Sequence, residues 1–383
     1  MHGIKTNLLT TGARAITPLS TAIIGLIGTA TAGAGADTAA LDAAFPLDTP
    51  VLVTNIRAAL ATLSVSIGGT LQPALEAIGD QTSPILVIVR VATDADAGDQ
   101  DDLVVGGVTS GSYTGMQALL AAEAQIGVRP RIIGAPGLDT LDVTTALAIV
   151  ARKLRARGYC AAVGADIAAA STYRNGFSDR ELTLLWPNTS SSFAGDLVAR
   201  ALGLRARIDE EQGWHKTLSN VAVSGVTGMS KDIFFDIQDA STDAGALNAA
   251  DIVTMVRANG FRFWGNATCA DTPEWHFESA VRTSQVLQDE IANGLIWAID
   301  KPITAALVKD IIETVNARFR SLVSAGRLIG AKAWYDPAHN SNADLAAGKL
   351  VIDYDFTPCA PLEDLTLNQV ITDQYYATLS SAL

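Results

Sequence analysis

Four closely spaced glycines near the N-terminus of this chain could form a phosphate-binding loop. They follow an apolar run, as in a dinucleotide-binding motif, and they are Gly25, Gly28, Gly33 and Gly35. That motif needs the order G-x-G-x-x-G at the start of a helix, and the spacing here differs. Gly348-Lys349 also lacks the Ser or Thr that completes a P-loop. The sequence therefore predicts no nucleotide or other cofactor site.

A run of aspartates between Asp94 and Asp102 could attract a calcium ion. An EF-hand loop that starts at Asp94 would need glycine at its sixth position and glutamate at its twelfth. Those positions hold Asp99 and Val105, so the run indicates a solvated acidic loop. The histidines show no H-x-x-x-H spacing and are scattered, at His2, His215, His276 and His339. The sequence therefore predicts no metal site.

No nucleophile stands in a recognisable catalytic setting. The chain contains no G-x-S-x-G elbow, and His276 beside Trp275 is more typical of a helix entry than of a general acid. The three cysteines lie far apart, at Cys160, Cys269 and Cys359, which excludes a disulfide scaffold and a clustered zinc site. We therefore predict no catalytic residue, and an α/β enzyme remains the less favoured alternative.

Charge is distributed unevenly along the chain. The formal net charge of −13 argues against nucleic-acid binding, which needs a basic surface. Residues 300–332 nevertheless hold six basic and three acidic side chains, and this local excess indicates either a docking face or a solvated helix face. The best apolar run, 21–36, is too short and glycine-rich to cross a membrane and does not resemble a signal peptide. We expect a soluble protein without membrane insertion.

Strands and helices alternate over the first half of the chain. Apolar runs predict strands at 22–27, 51–53, 85–89, 131–134, 157–165 and 182–186. Helical patterns lie between them, at 71–78, 116–125 and 141–156, and a flexible loop is expected at 28–35. This alternation predicts an α/β domain with a largely parallel sheet.

The last third predicts long helices followed by a hairpin. Apolar residues recur at helical spacing over 277–295 and again over 303–322, where they form one stripe. The segment 349–356 alternates, with Leu350, Ile352, Tyr354 and Phe356 on one face, and its expected antiparallel partner is 328–335. The fold as a whole is therefore expected to be α+β.

Both ends of the chain have strand character without an evident partner. Residues 1–20 carry only scattered large apolar side chains, among them Ile4, Leu8 and Ile16. Beyond Pro361, Leu365 and Leu367 alternate with polar residues. Such ends either pair with another subunit or fold back on their own domain.

The segment 248–269 carries the most specific pattern in the chain. We expect a short helix over 252–256 that ends at Asn259-Gly260, and then an aromatic strand over 261–264. The following residues, Trp264, Gly265, Asn266 and Thr268, resemble the Trp-Gly-Asn-Arg-Thr signature of contractile tail sheath proteins from myophages and R-type pyocins. Ala267 stands where the family has arginine, so any ion pair of that arginine is absent here.

Other blocks resemble the same family in the same order. They are the strand and turn of 130–137, the segments 173–174 and 184–187, the helix and Gly-Trp turn of 201–228, and the opening of 14–30. Each block alone is weakly specific, but their order and spacing together are informative. The resemblance covers nearly the whole chain.

The resemblance implies a subunit in two parts with terminal arms. We expect an N-terminal arm at 1–20, an outer α/β domain at 21–260, an inner domain of long helices and a small antiparallel sheet at 261–361, and a C-terminal arm at 362–383. Arms and hairpin would exchange strands between subunits through Ile4, Leu8, Ile16, Leu350, Ile352, Tyr354, Leu365, Leu367 and Val370. The tube-facing residues would be Lys301, Lys309, Arg318, Arg320 and Arg327.

The resemblance also implies function and partners. The chain would polymerise into stacked rings around a tail tube and contract to drive the tube through a cell envelope. Its partners would be further copies of itself, the tube protein, and baseplate and tail terminator proteins, with no direct contact to nucleic acid. It would belong to a virion tail assembled in the bacterial cytoplasm. A pyocin or another contractile injection device remains the alternative setting.

Overall fold

A nine-stranded sheet forms the larger part of the molecule. The computed structural model describes residues 15–33, 36–190 and 192–376. The strands of the sheet lie in the order β11-β10-β9-β8-β7-β1-β4-β2, with β3 paired to β1. In chain order, the strands are β1 Ile24–Ala32, β2 Val51–Val53, β3 Ser66–Gly69, β4 Leu86–Val91, β5 Val108–Thr109, β6 Ser112–Tyr113, β7 Ile132–Gly134, β8 Arg157–Ala161, β9 Leu182–Leu185, β10 Ile252–Arg257, β11 Phe261–Trp264, β12 Leu328–Trp334 and β13 Asp353–Pro358.

The centre of this sheet is parallel and its margins are antiparallel. Strands β4, β1, β7, β8, β9 and β10 run in the same direction, whereas β2, β3 and β11 run against their neighbours. Short pieces β5 and β6 form a separate ribbon. The predicted α/β class with a largely parallel sheet is confirmed.

Helices cover both faces of the sheet. They are α1 Ala36–Ala44, α2 Ile56–Leu63, α3 Leu71–Gly79, α4 Ala97–Val105, α5 Ala122–Ile126, α6 Leu141–Leu154, α7 Ile167–Arg174, α8 Asp196–Glu211, α9 Asp243–Ala249, α10 Glu278–Leu295, α11 Ala305–Ser324 and α12 Asn342–Ala346. Along β1 and the residue before it, Ile24 and Leu26 enter the core beneath α3 and α8, and Ile23 and Ile27 enter the core beneath α6. This alternation follows from the two-residue period of a strand. No helix of the described residues is long and apolar enough to span a bilayer.

The C-terminal part has a third, smaller core. Helices α10 and α11 pack there against the antiparallel β12–β13 hairpin, with Leu287, Val315, Phe319 and Leu328 buried between them. Trp214, which follows α8, joins the same cluster. The predicted apolar stripe of α11 is confirmed from Leu307 to Leu322, and its Val315, Phe319 and Leu322 belong to this core.

The segment 252–256 is a strand, so the predicted helix is wrong. β10 pairs with β11 in a hairpin whose turn places Asn259 and Gly260 at φ values of 53° and 95°. Asn-Gly suits such left-handed positions in a hairpin as well as at a helix end, and the β-branched residues of 252–256 favour the strand. The expected domain boundary between 260 and 261 would divide this hairpin.

Three other boundaries also differ from the prediction. β1 continues to Ala32, so much of the loop expected at 28–35 is strand. The expected acidic loop contains α4, which Asp96 caps by accepting hydrogen bonds from two backbone N–H groups. β13 starts only at Asp353, because the side-chain amide of Asn340 donates to the Val351 carbonyl and accepts from the Val351 N–H. The arm residues 360–371 form no strand.

Candidate functional site

The signature segment lies where the large sheet meets the C-terminal helices. Gly265 follows β11 with φ +115°, and its N–H donates to Ser219 Oγ at 3.0 Å. A Cβ at this position would lie 2.5 Å from Asn248 Oδ1. The side-chain amide of Asn248 is itself held by a 2.7 Å bond to the Ala244 carbonyl. Both the backbone conformation and the space therefore require glycine at this position.

The residues after Gly265 form a short antiparallel ribbon that leads into α10. The Glu278 N–H donates to the Asn266 carbonyl at 3.0 Å, and the Thr268 N–H donates to the His276 carbonyl at 2.7 Å. Ala267 pairs with Phe277 between these bonds. The hydroxyl of Thr268 donates to the Trp275 carbonyl at 2.7 Å. This ribbon fixes the point at which α10 begins.

A buried network of charges attaches α10 to α8. Arg205 contacts Asp209 at 2.7 Å and Glu278 at 3.4 Å, and Arg282 bonds the second oxygen of Asp209. Tyr159 donates its hydroxyl proton to Glu278. All four charged side chains are at most 2% exposed. Because an unpaired charge is costly in this setting, the network favours one relative position of the two helices.

Protonation equilibria in this network follow from burial and charge. Burial and the neighbouring Glu278 carboxylate raise the pKa of Tyr159 well above its usual value. Burial alone would lower the pKa of Arg205, but the carboxylates of Asp209 and Glu278 outweigh it and raise that pKa. The arginine therefore stays charged and the tyrosine stays a neutral hydrogen-bond donor at physiological pH.

Two further sets of ion pairs hold α10. Arg131 and Arg155, which lie beside β7 and α6, both bond Asp289. Burial lowers the pKa of Arg131 to about 10, and Asp289 partly offsets that effect. On the opposite side, Arg318 of α11 makes a two-pronged bond to Glu290, at 2.7 and 2.8 Å. Sequence analysis missed these pairs, although Arg205 and Asp209 stand at the i,i+4 spacing of a helical ion pair.

One His–Asp cluster was also missed by sequence analysis. His339 Nδ1 lies 2.9 Å from Asp353 Oδ2. One carboxylate oxygen each of Asp336 and Asp353 and one ring nitrogen of His339, atoms that could bind a metal ion, lie within 4.8 Å of one another. The hydrogen bond and charge of Asp353 raise the pKa of His339. All three side chains are partly or fully exposed, and the Asp336 carboxylate already caps a short turn at Ala338. The hydrogen bond from His339 to Asp353 holds the segment between β12 and β13 against the start of β13.

The predicted tube-facing residues have different surroundings. Lys309 is exposed, and the Lys301 ammonium lies 4.5 Å from the centre of the Trp297 ring. Arg320 pairs with Glu313, and Arg327 lies 5.3 Å from the centre of the Trp214 ring. Arg318 is only 11% exposed and is neutralised by Glu290, so it does not belong to an open basic face.

The predicted strand-exchange residues also fall into separate groups. Ile4 and Leu8 lie outside the described residues. Ile16 is buried against Gly294 of α10 in its own chain, and Ile352 and Tyr354 pack on the third core, with Leu350 half-buried. The arm residues are far more exposed, at 67% for Leu365, 81% for Leu367 and 80% for Val370.

Comparison with known proteins connects these features to one family. Residues 111–269 match the family model for the phage tail sheath protein central domain, and residues 270–372 match the model for the phage tail sheath C-terminal domain. The tail sheath protein of Escherichia phage P2 is 46% identical over 398 aligned residues, which cover 100% of this chain and 98% of that protein. The chain belongs to the phage tail sheath family. It is a structural subunit of a contractile tail sheath, and its place is therefore in a virion or another contractile tail.

Two further relatives and one solved structure agree with the assignment of this sheath protein to the family. A major tail sheath protein of Serratia phage KSP20 is 45% identical over 100% of this chain and 98% of its own length. A putative prophage major tail sheath protein of Pseudomonas aeruginosa is 33% identical over 98% of this chain and 97% of its own length. The helical sheath of the anti-feeding prophage in its contracted state shares the fold, with a TM-score of 0.70 at 16% identity over 96% of this chain and 98% of that one.

Proposed function

We propose that this sheath protein polymerises into stacked rings around a tail tube and contracts to drive the tube through a cell envelope. The observation that carries the proposal is the combination of an open hairpin and an open arm. In the described residues, the two-stranded β12–β13 sheet pairs with no third strand, and the arm after Pro361 is exposed. Open strand edges and apolar extended segments favour pairing with other copies.

The arms supply the connections between subunits in this proposal. Residues 1–15 and 362–383 of one copy add strands to the hairpin of neighbours, with Ile4, Leu8, Leu350, Ile352, Tyr354, Leu365, Leu367 and Val370 at these contacts. Ile16 is not among them, because it is buried against Gly294 of its own chain. Main-chain hydrogen bonds between strands tolerate rotation of the domains that they link. The lattice can therefore change from extended to contracted without dissociating.

The tube contact lies at the corner between α10 and α11. Lys301 and Lys309 are exposed there, next to the exposed Asp300 and Asp310, whereas ion pairs neutralise Arg318 and Arg320. Ile296 and Ile299 at the same corner are 72% and 70% exposed. A tube surface with apolar patches, and with acidic groups opposite Lys301 and Lys309, would fit this corner.

The two parts of the subunit are then an outer α/β domain and an inner tube-facing domain. We place their boundary near residue 270, in the turn of the ribbon that follows β11, because β11 belongs to the large sheet. Assembly takes place in the bacterial cytoplasm, with a baseplate at one end of the sheath and a tail terminator at the other. The protein acts without catalysis, and strain stored in the extended lattice supplies the work.

Negative-stain microscopy of the purified protein tests this function. The full-length chain should form tubes or contracted sheath-like polymers. A variant without residues 1–15 should remain a folded particle of one subunit, because it lacks one of the two connecting arms. Circular dichroism provides the control that the α/β domain is intact. Tubes of normal length from the truncated chain would contradict the role of the arm, and a full-length chain that never polymerises would contradict the function.

A further inference from the structure

Three side chains with metal-binding atoms meet at the loop end of the β12–β13 hairpin. Asp353 is the first residue of β13 and pairs with Trp334, the last residue of β12. Asp336 follows Trp334 by two residues in extended backbone, so its side chain lies on the same face as that of Asp353. His339 ends the short turn of 337–339, and its Nδ1 lies 2.9 Å from Asp353 Oδ2 and 3.1 Å from Oδ1. The hairpin register and the turn therefore place one imidazole and two carboxylates side by side.

A buried asparagine holds this arrangement in place. Asn340 is 5% exposed, and its Nδ2 donates to the carbonyls of Asp336 at 2.8 Å and Val351 at 2.9 Å. Its Oδ1 accepts from the Val351 N–H at 2.8 Å. Asp336 Oδ1 accepts from the Ala338 N–H at 2.8 Å, which restrains the carboxylate. The backbone on both sides of the three side chains is thus fixed before any ion binds, and such preorganisation favours binding.

The spacing and the atom types suit a divalent transition-metal ion. One atom from each of the three side chains lies within 4.8 Å of the others. Around a tetrahedral zinc ion with bonds of about 2.1 Å, ligand atoms lie about 3.4 Å apart, so small rotations of these partly or fully exposed side chains would close the site. An imidazole nitrogen suits zinc, nickel or copper, whereas magnesium and calcium prefer oxygen ligands. The mixed set therefore favours an ion of the zinc type.

Local charge also favours a cation. The segment 332–355 holds four aspartates and two lysines, which are Asp336, Asp344, Asp353, Asp355, Lys332 and Lys349. Lys332 stands opposite Asp355 in the hairpin register, so a separate carboxylate accompanies it. Four acidic and two basic groups leave an excess of two negative charges when His339 is neutral. A bound ion would take the place of the proton that His339 Nδ1 shares with Asp353.

We propose that Asp336, His339 and Asp353 bind one divalent transition-metal ion, for which Zn²⁺ is the probe, with water completing its coordination. The ion joins the end of β12 to the start of β13 and stiffens the loop between them. Spacing along the sequence does not indicate this site, because Asp353 follows His339 by 14 residues. The inference goes beyond the proposed function and does not depend on assembly.

Isothermal titration of the full-length chain with ZnCl₂ tests the site. Cys359→Ser and His2→Gln form the background, since a thiol and a histidine beside the α-amino group could bind zinc independently. We expect one ion per chain and an affinity that falls at least about tenfold in His339→Gln, because even the outer partners of metal ligands contribute that much. Asp336→Asn should weaken binding as well, although its amide oxygen can still accept from the Ala338 N–H.

His276→Gln in the same background is the matched control. His276 also faces a carboxylate, with Nδ1 3.6 Å from Asp251 Oδ1, but Arg174 already pairs with that aspartate at 2.8 Å. The control should bind zinc as tightly as the background protein. Equal affinity in His339→Gln and in the background would overturn the inference, and so would a background protein that binds no zinc.

Hydrogen exchange locates the ion independently of its affinity. Zinc should slow amide exchange over 336–353 in the background protein and leave it unchanged in His339→Gln. Circular dichroism should show that this variant is folded, because the His339 side chain is 56% exposed. An excess of Mg²⁺ should not compete, since it prefers oxygen ligands. Protection by zinc in another segment, or effective competition by Mg²⁺, would contradict the proposed ligands.

Discussion

Gly265 joins the last strand of the large sheet to the ribbon that begins α10, and it has φ +115°. Gly265→Ala should destabilise the fold by about 1–3 kcal/mol, because the residue is strained and its Cβ meets Asn248 Oδ1 at 2.5 Å. Urea unfolding measures the change. Gly260→Ala is the matched control, since it has φ +95° with no atom within 4 Å of the added Cβ. Equal effects of both substitutions would mean that the contact with Asn248 is unimportant.

His339 gives the protein a predictable response to pH. Its hydrogen bond to Asp353 raises its pKa above the usual 6.5, so the protonated ring is favoured in the folded state. The resulting stabilisation is fully present below pH 6.5 and is lost as the pH rises through the pKa of the folded state. NMR titration should show His339 titrating above 6.5, and Asp353→Asn should return it toward that value. Titration of His339 at or below 6.5 in the unaltered protein would contradict the assignment.

The attachment of α10 to α8 depends on buried ion pairs, and Asp209 contacts two arginines there. Asp209→Asn leaves Arg205 and Arg282 without that carboxylate and should cost about 3–5 kcal/mol in the free energy of unfolding. Glu313→Gln is the control, because its pair with Arg320 is exposed and should contribute less than about 1 kcal/mol. Chemical unfolding followed by circular dichroism measures both variants. If both lose the same stability, the buried network does not hold the helices together.

Elements with strong periodicity were predictable from the sequence, and elements that depend on long-range pairing were not. The stripe of α11 and the apolar runs of β1 and β4 follow local rules of burial. By contrast, 252–256 was misassigned because Asn259-Gly260 ends helices and turns hairpins equally well. The late start of β13 depends on Asn340, which bonds Val351 from eleven residues away. No local pattern could show that contact.

The signature segment could be found from the sequence, but its structural role could not. The identity of Trp264, Gly265 and Asn266 pointed to the sheath family. That these residues form a junction between sheet and helix depends on their pairing with 276–278. The buried charges required the same long-range information, since Arg282 and Asp209 are 73 residues apart. Charge counts along the chain therefore overestimated the open basic surface.

The whole sheath should contract without an added energy source. We expect heat or mild denaturant to trigger contraction of assembled tails in the absence of ATP, because packing is the proposed store of energy. Calorimetry should show that contracted sheath melts at a higher temperature than extended sheath. Contraction that requires nucleotide, or an extended form that melts later, would contradict this mechanism.

The two margins of the nine-stranded sheet restrict how copies of this protein can associate. Beside β11, the backbone N–H groups of Asn220 and Val223 donate to the carbonyls of Phe263 and Phe261, and on the other side β2 is only three residues long. Neither margin offers a long open template, so crowded subunits are protected from indefinite sheet-to-sheet aggregation. Association through the β12–β13 hairpin and the arms, as proposed above, is therefore favoured over contacts between the large sheets of two copies.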